Sequence, residues 1–275
     1  MALVVVLLSM AQYVSRGIAQ SSLRVRVDRW LELQQFAGTV KMQRLAKSQP
    51  AKRGDRLQNP GDGLSTAKNS DATLLVDTGI GVINVSESTD LEVQGLEMAP
   101  DNGRITRLKV TRGQVRLKVR PFTHRGSQLE IQSPASLSGV RGTDFGLTIQ
   151  PNGKTGLAVS EGSVTSSAQG QTIAVPQGFQ NFTFPGEPPA PPVPLTNSTQ
   201  LRHRFEPTIT NGVRRVRLIG RVDPVNSVLV DDVPQTTDRN GQFTTPLRSL
   251  PSFLKVRVTV TTPLGKTEVY DLAFR

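Results

Sequence analysis

Short runs in which every second residue is apolar, separated by glycine, leave this chain few options other than β structure. The runs include VINVS at 82–86, QVRLKVR at 114–120, FGLTIQ at 145–150 and TGLAVS at 155–160. A period of two places alternate side chains on opposite faces of a strand. Glycines recur between the runs, at positions where turns are expected. Beyond the amino terminus no window of a dozen residues carries a helical stripe, and the best, RWLELQQF at 29–36, is short. Aromatics make up only 5% of the residues, so the core must rest on Val, Leu and Ile, which favour strands. The fold class expected is all-β, with short antiparallel strands in a solenoid-like or jelly-roll-like arrangement.

A chain of 275 residues has room for one or two domains. The stretch PGEPPAPPVP at 185–194 is dominated by proline, which lacks the amide hydrogen and fixes φ. An extended, semi-rigid spacer is the expectation there. It divides a first β domain, 25–183, from a second, 205–275, with the proline-rich linker spanning 184–200. The second domain repeats the strand pattern in VRLIGRV at 216–222, SVLVDDV at 227–233, KVRVTVTT at 255–262 and TEVYDLAF at 267–274. Strands this short and closely spaced predict a small antiparallel sandwich.

Residues 2–11, ALVVVLLSMA, form one apolar block of signal-peptide length, and Gly17-Ile18-Ala19 offers small residues for cleavage. Residues 1–19 are therefore expected to be a signal peptide, although no Lys or Arg precedes the block. Gln12 and Arg16 interrupt it well before the roughly 20 apolar residues that a spanning helix needs. With cleavage there is no stable membrane span, and the mature chain is periplasmic or extracellular. The absence of cysteine excludes disulfides, thiolate metal sites and a cysteine nucleophile.

The stretch SGVRGTDFGL at 138–147 places an arginine and an aspartate between two apolar runs. Val140 and Phe145 differ in parity, so one uninterrupted strand cannot bury both. A register reset at Gly142 would let both turn inward. The Thr143 hydroxyl and the Arg141 guanidinium are then expected to satisfy stranded backbone groups. Arg141 is expected to be buried and neutralised by Asp144 or Glu161. The reading is architectural rather than catalytic.

The wider stretch SPASLSGVRGTDFGLTIQPNGKTGLAVSEGSV resembles the most recognisable part of the FecR domain, named after a periplasmic iron-citrate signalling regulator. The residues that carry the resemblance are Ser133, Pro134, Val140, Arg141, Gly142, Thr143, Phe145, Gly153, Glu161, Gly162 and Val164. Upstream, RGDRL at 53–57, GLSTAKNSDATLLV at 63–76 and LKVTRGQVRLKV at 108–119 are similar to further family segments, so the resemblance covers about 36–182. The second domain resembles small bacterial Ig-like domains. In the signalling regulator the domain follows a sigma-factor-binding segment and a membrane span, neither visible in this sequence. The resemblance therefore implies an exported sensing or binding module, and it marks fold better than function.

Catalysis finds little support. The two histidines, His124 and His203, lie in different halves among arginines. No nucleophile elbow, His-Glu-x-x-His pair or phosphate-cradling loop is present. Asp231 and Asp232 would point to opposite faces of a strand, and DRNG at 238–241 reads as a turn rather than a calcium loop. The expectation is no catalytic, metal or cofactor site.

The net charge of +11 suits anionic partners. Residues 104–125 carry eight Lys/Arg and no Asp/Glu. If two strands pair across Thr111-Arg112-Gly113, Arg107, Lys109, Arg116, Lys118 and Arg120 share one exposed basic stripe. The partners expected are an anionic envelope polysaccharide or an acidic protein surface; without a recognisable motif, nucleic acid fits worst. Alternatives are a component of transmembrane, iron-uptake-type signal transduction and a glycan-binding accessory protein.

Overall fold

A computed structural model describes residues 29–44, 47–250 and 253–275; the expected signal peptide at 1–19 lies outside them. Among the described residues all regular structure is strand. The first domain contains β1 (Leu31–Ala37), β2 (Val40–Arg44), β3 (Lys47–Pro50), β4 (Arg56–Leu57), β5 (Gly63–Thr66), β6 (Asp71–Val76), β7 (Gly81–Val85), β8 (Asp90–Met98) and β9 (Arg104–Val119). It continues with β10 (Gln128–Gln132), β11 (Leu137–Val140), β12 (Asp144–Ile149), β13 (Thr155–Glu161), β14 (Ser163–Ala168), β15 (Gln171–Pro176), β16 (Phe179–Thr183) and β17 (Val193–Pro194). RWLELQQF, the best helical candidate, is β1: Leu31 and Leu33 are buried alternately against β6, and a bulge follows Leu33.

These strands form two layers. One runs β4-β1-β6-β7-β9-β12-β13-β16-β17. The other runs β3-β2-β5-β8-β9-β10-β11-β14-β15. We call them the front and back layers. β9 belongs to both, its amino-terminal half in the back layer and its carboxy-terminal half in the front. All pairings are antiparallel except β9 with β10. Inward residues from both layers make one core, including Leu74, Ile83, Leu117, Phe145 and Leu147 from the front and Met42, Val93, Leu108 and Ile131 from the back. Each such side chain contributes about 1.5–3 kcal/mol on burial.

The second domain holds β18 (Arg202–Thr210), β19 (Val213–Arg221), β20 (Ser227–Val230), β21 (Val233–Pro234), β22 (Gln242–Thr244), β23 (Arg248–Ser249), β24 (Leu254–Thr261) and β25 (Thr267–Phe274). β18, β19, β22 and β23 form one sheet, and β21-β20-β24-β25 the other. Leu218, Val222 and Phe243 of the first pack against Val228, Val230, Val256, Val258 and Val260 of the second, which makes a sandwich.

The proline-rich stretch departs from a free spacer. β17 pairs with the edge strand β16, Ala190 N donates to Phe182 O, and Leu195 N donates to Gly178 O. Proline suits such a peripheral position because it need not donate to a further strand.

Candidate functional site

The Val140–Phe145 corner is where the chain crosses between layers. Val140 ends β11 in the back layer, paired with Leu129 and Val164; Phe145 lies in β12 of the front layer, paired with Leu117 and Val159. The parity mismatch thus reflects a change of sheet. Gly142 has φ +74°, and a Cβ there would overlap the backbone of Pro121. Glu161-Gly162 returns the chain from front to back; Gly162 has φ +79°, and a Cβ on it would lie 2.7 Å from the Gly142 carbonyl oxygen. The two glycine motifs are therefore adjacent crossings pressed against each other, which explains why both need glycine.

Charge at this corner is arranged differently from the expectation. Arg141 is exposed and donates to the Arg125 carbonyl oxygen, not to a carboxylate. Asp144 is buried and accepts from Arg116, at 3.0 Å from both Nε and Nη2. The physical reason is register: Asp144 sits beside Lys118 on β9 and points outward, where the Arg116 side chain reaches it, while Arg141 leaves the corner into solvent. The Thr143 hydroxyl is buried without a partner instead of serving the backbone. Glu161 is exposed.

The expected basic stripe is split. No hairpin forms at Thr111-Arg112-Gly113, because β9 runs straight through from one layer to the other. Arg107 and Lys109 leave the outer face of the back layer, and Arg116 and Lys118 that of the front layer. Arg107 is paired with Glu97 and Glu130. Lys109 lines a hollow of about 330 Å³ together with Asp90 and Glu92. Arg120, past the end of the strand, donates to Gly79 O. Lys118 is exposed.

The front layer's outer face is covered, which is why β12 is buried at every position. Three loops of the second sandwich press on it. Thr148 Oγ1 donates to Val225 O at 2.6 Å, and Gln150 Nε2 to Asn226 O at 2.9 Å. From β9, Gln114 Nε2 donates to Thr262 O at 2.9 Å and Arg116 Nη1 to Leu264 O at 3.0 Å. Gln180 Nε2 meets the Asp223 carboxylate. Gly146 permits the closest approach, since a Cβ there would overlap the Pro263 carbonyl oxygen. Arg116 thus joins the Asp144 carboxylate to the other domain, and that carboxylate holds its guanidinium above the ordinary arginine pKa.

Lys154 is fully buried in this seam. Its Nζ donates to Asp238 O at 2.8 Å and Thr237 Oγ1 at 3.0 Å, and lies 4.6 Å from the Phe182 ring centroid and 5.0 Å from that of Phe184. Burial pushes its pKa down to about 8, against the raising influence of Asp238 and Asp223.

A second charged region lies on the outer face of β18 and β19. The register sets Arg202 opposite Arg221, Arg204 opposite Ile219, Glu206 opposite Arg217 and Thr208 opposite Arg215. Because Phe205 and Leu218 face the core, these residues face outward. Five arginines share this face with a single carboxylate, Glu206, which Arg217 bonds at 2.7 Å and holds below its usual pKa. At one end the face borders a groove of about 520 Å³ lined by Thr196, Ser198, Gln200, Arg202, Arg221 and Arg239, among others.

Residues 62–165 match the family model described as FecR protein. The matched segment runs from the loop before β5 to β14 and contains both crossings, so the FecR-matching part includes the corner and most of the seam's front-layer face. No curated protein matches the chain. Two solved structures of a candidate anti-sigma factor from Parabacteroides distasonis ATCC 8503 are similar at 14% identity and TM-score 0.41. The alignment covers 48% of this chain and 59% of that one, so this chain spans about three fifths of its length. Likeness at that level carries no functional information.

Outside the FecR-matching segment, His203 is exposed on β18; within it, His124 lies in an exposed loop with its Nδ1 beside the Thr123 hydroxyl. Asp231 and Asp232 do not lie on a strand but form the turn between β20 and β21, paired with Arg248 and Lys68 respectively. Among the described residues no cluster of three His, Asp or Glu could hold a metal ion, and no helix is long and apolar enough to cross a membrane. Sequence reasoning missed both the seam and the arginine face. The seam had a signal: Gly146, Thr148, Gly156 and Ala158, four outward positions at the centre of β12 and β13, are small and uncharged. So did the face, since RHRFEPTITNGVRRVRLIGR at 202–221 holds six arginines and one carboxylate.

Proposed function

We propose that this chain is a non-catalytic binding module of the cell envelope, in which the FecR-matching sandwich and an Ig-like carboxy-terminal sandwich act as one body. The observation that carries this reading is the outward face of β18 and β19, where five arginines stand against one carboxylate. A surface with an excess of cations raises the local concentration of anions. The partner is an acidic envelope polymer or protein. The two histidines lie in different sandwiches and both are exposed, which supports a non-catalytic role. Retention of the chain by an envelope fraction that falls as salt is raised would support the reading. Retention indifferent to salt, or none, would reject it.

A second reading is a component of transmembrane signalling, favoured by the match of residues 62–165 to the FecR protein model. In that case the seam would carry a signal from one sandwich to the other. Deleting the gene and measuring transcription that depends on alternative sigma factors tests it: unchanged transcription under iron limitation would reject this reading.

A further inference from the structure

We infer that the groove floored by Arg202 and Arg221 is a binding site for an acidic glycan, whose carboxylate or phosphoryl groups bridge the two guanidiniums. This rests on the envelope-binding reading and gives it a place and a ligand chemistry. Arg202 and Arg221 are direct partners across β18 and β19 on one face, and like charges so placed repel. Among the described residues neither has a carboxylate within ion-pair distance. Arg221 donates only its Nε, to Asn240 O at 3.0 Å. The one carboxylate lining the groove, Asp223, is already engaged by Gln180 Nε2, Thr196 Oγ1 and Val225 N. Arg239, at the groove's rim, is paired with Glu187. Two planar forks with free donors, side by side on one face without a counterion, are suited to a bidentate oxyanion bound across them.

The rest of the lining points to a saccharide backbone for that anion. Thr196, Ser198 and Gln200 line the groove as well, so hydroxyl and amide groups stand beside the two guanidiniums. No aromatic ring lines the groove, which removes the stacking surface on which a neutral sugar would depend and leaves charge as the main source of affinity. A volume of about 520 Å³ falls within the range of small-ligand clefts and suits a short oligosaccharide.

The test is titration of the full chain with polyuronate oligosaccharides, with neutral dextran and an oligonucleotide of similar charge as comparisons and inorganic phosphate as competitor. The expected result is polyuronate binding that is stronger than oligonucleotide binding and absent with dextran. An R202S/R221S double variant should lose at least about tenfold in affinity. R107S/K118S, away from the groove, should match the parent, and all variants should melt alike. Competition by phosphate indicates a shared oxyanion site; its absence indicates selection for the carboxylate. If the double variant binds as the parent does, or the oligonucleotide binds as well as the polyuronate, the glycan groove is overturned while salt-sensitive envelope retention still stands. If the chain binds no polyanion and envelope retention is also lost, both readings fall.

Discussion

Lys154 gives the seam a pH signature that can be calculated. In the unfolded chain a lysine titrates near 10.5, whereas in the native seam Lys154 titrates at about 8. Between these values the unfolded chain holds a proton that the native chain has released, so native stability attributable to Lys154 rises with pH. The slope is about 1.4 kcal/mol per pH unit, which amounts to about 3 kcal/mol across the window. Below pH 8 both states carry the proton, and the charged ammonium sits in the seam at its full desolvation cost. The perturbation is K154M, which removes the titration while keeping a long apolar stem between Phe182 and Phe184. Urea unfolding followed by far-UV circular dichroism would be measured for parent and variant from pH 7 to 10.5. The parent should gain about 3 kcal/mol on the variant between pH 8 and 10.5 and nothing below it. Parallel profiles for the two proteins would refute the reasoning, because they would mean that the ammonium is solvated and the two sandwiches do not close over it.

Further outcomes follow from the same contacts. Gly146→Ala should push the Pro263 turn away and break the Gln114–Thr262 and Arg116–Leu264 bonds, at a cost of about 3 kcal/mol. Hydrogen exchange at the 262–266 amides should quicken with it, and unchanged protection there would contradict the packing. Asp144→Asn leaves a half-exposed Arg116 without its bidentate carboxylate and should cost about 2 kcal/mol in a thermal or urea melt, after allowance for solvent screening; a neutral result would mean the pair is not formed in solution. Thr143→Val should be neutral or stabilising by up to about 1 kcal/mol, since it removes a buried hydroxyl that has no partner. A clear loss of melting temperature would show that the hydroxyl is bonded.

The strands were legible in the residues alone, because alternation is a local property: VINVS, FGLTIQ and TGLAVS read as strands wherever the chain carries them. It also marked Gly142 and Gly162 as special, since positive φ is a demand of the backbone at one residue. Which cation meets which carboxylate was decided only in three dimensions. Arg141 is nearest to Asp144 along the chain, yet the pair forms with Arg116, from a strand that the β9–β12 register brings alongside. A basic run such as 104–120 looks continuous in one dimension, but β9 changes layers midway and sends its charges out of opposite faces. The face of β12 and β13 that would meet water in a lone domain is instead closed by the 223–226, 237–238 and 262–264 loops. Local periodicity cannot report this, because burial of an outward position depends on a surface supplied by residues about a hundred positions away.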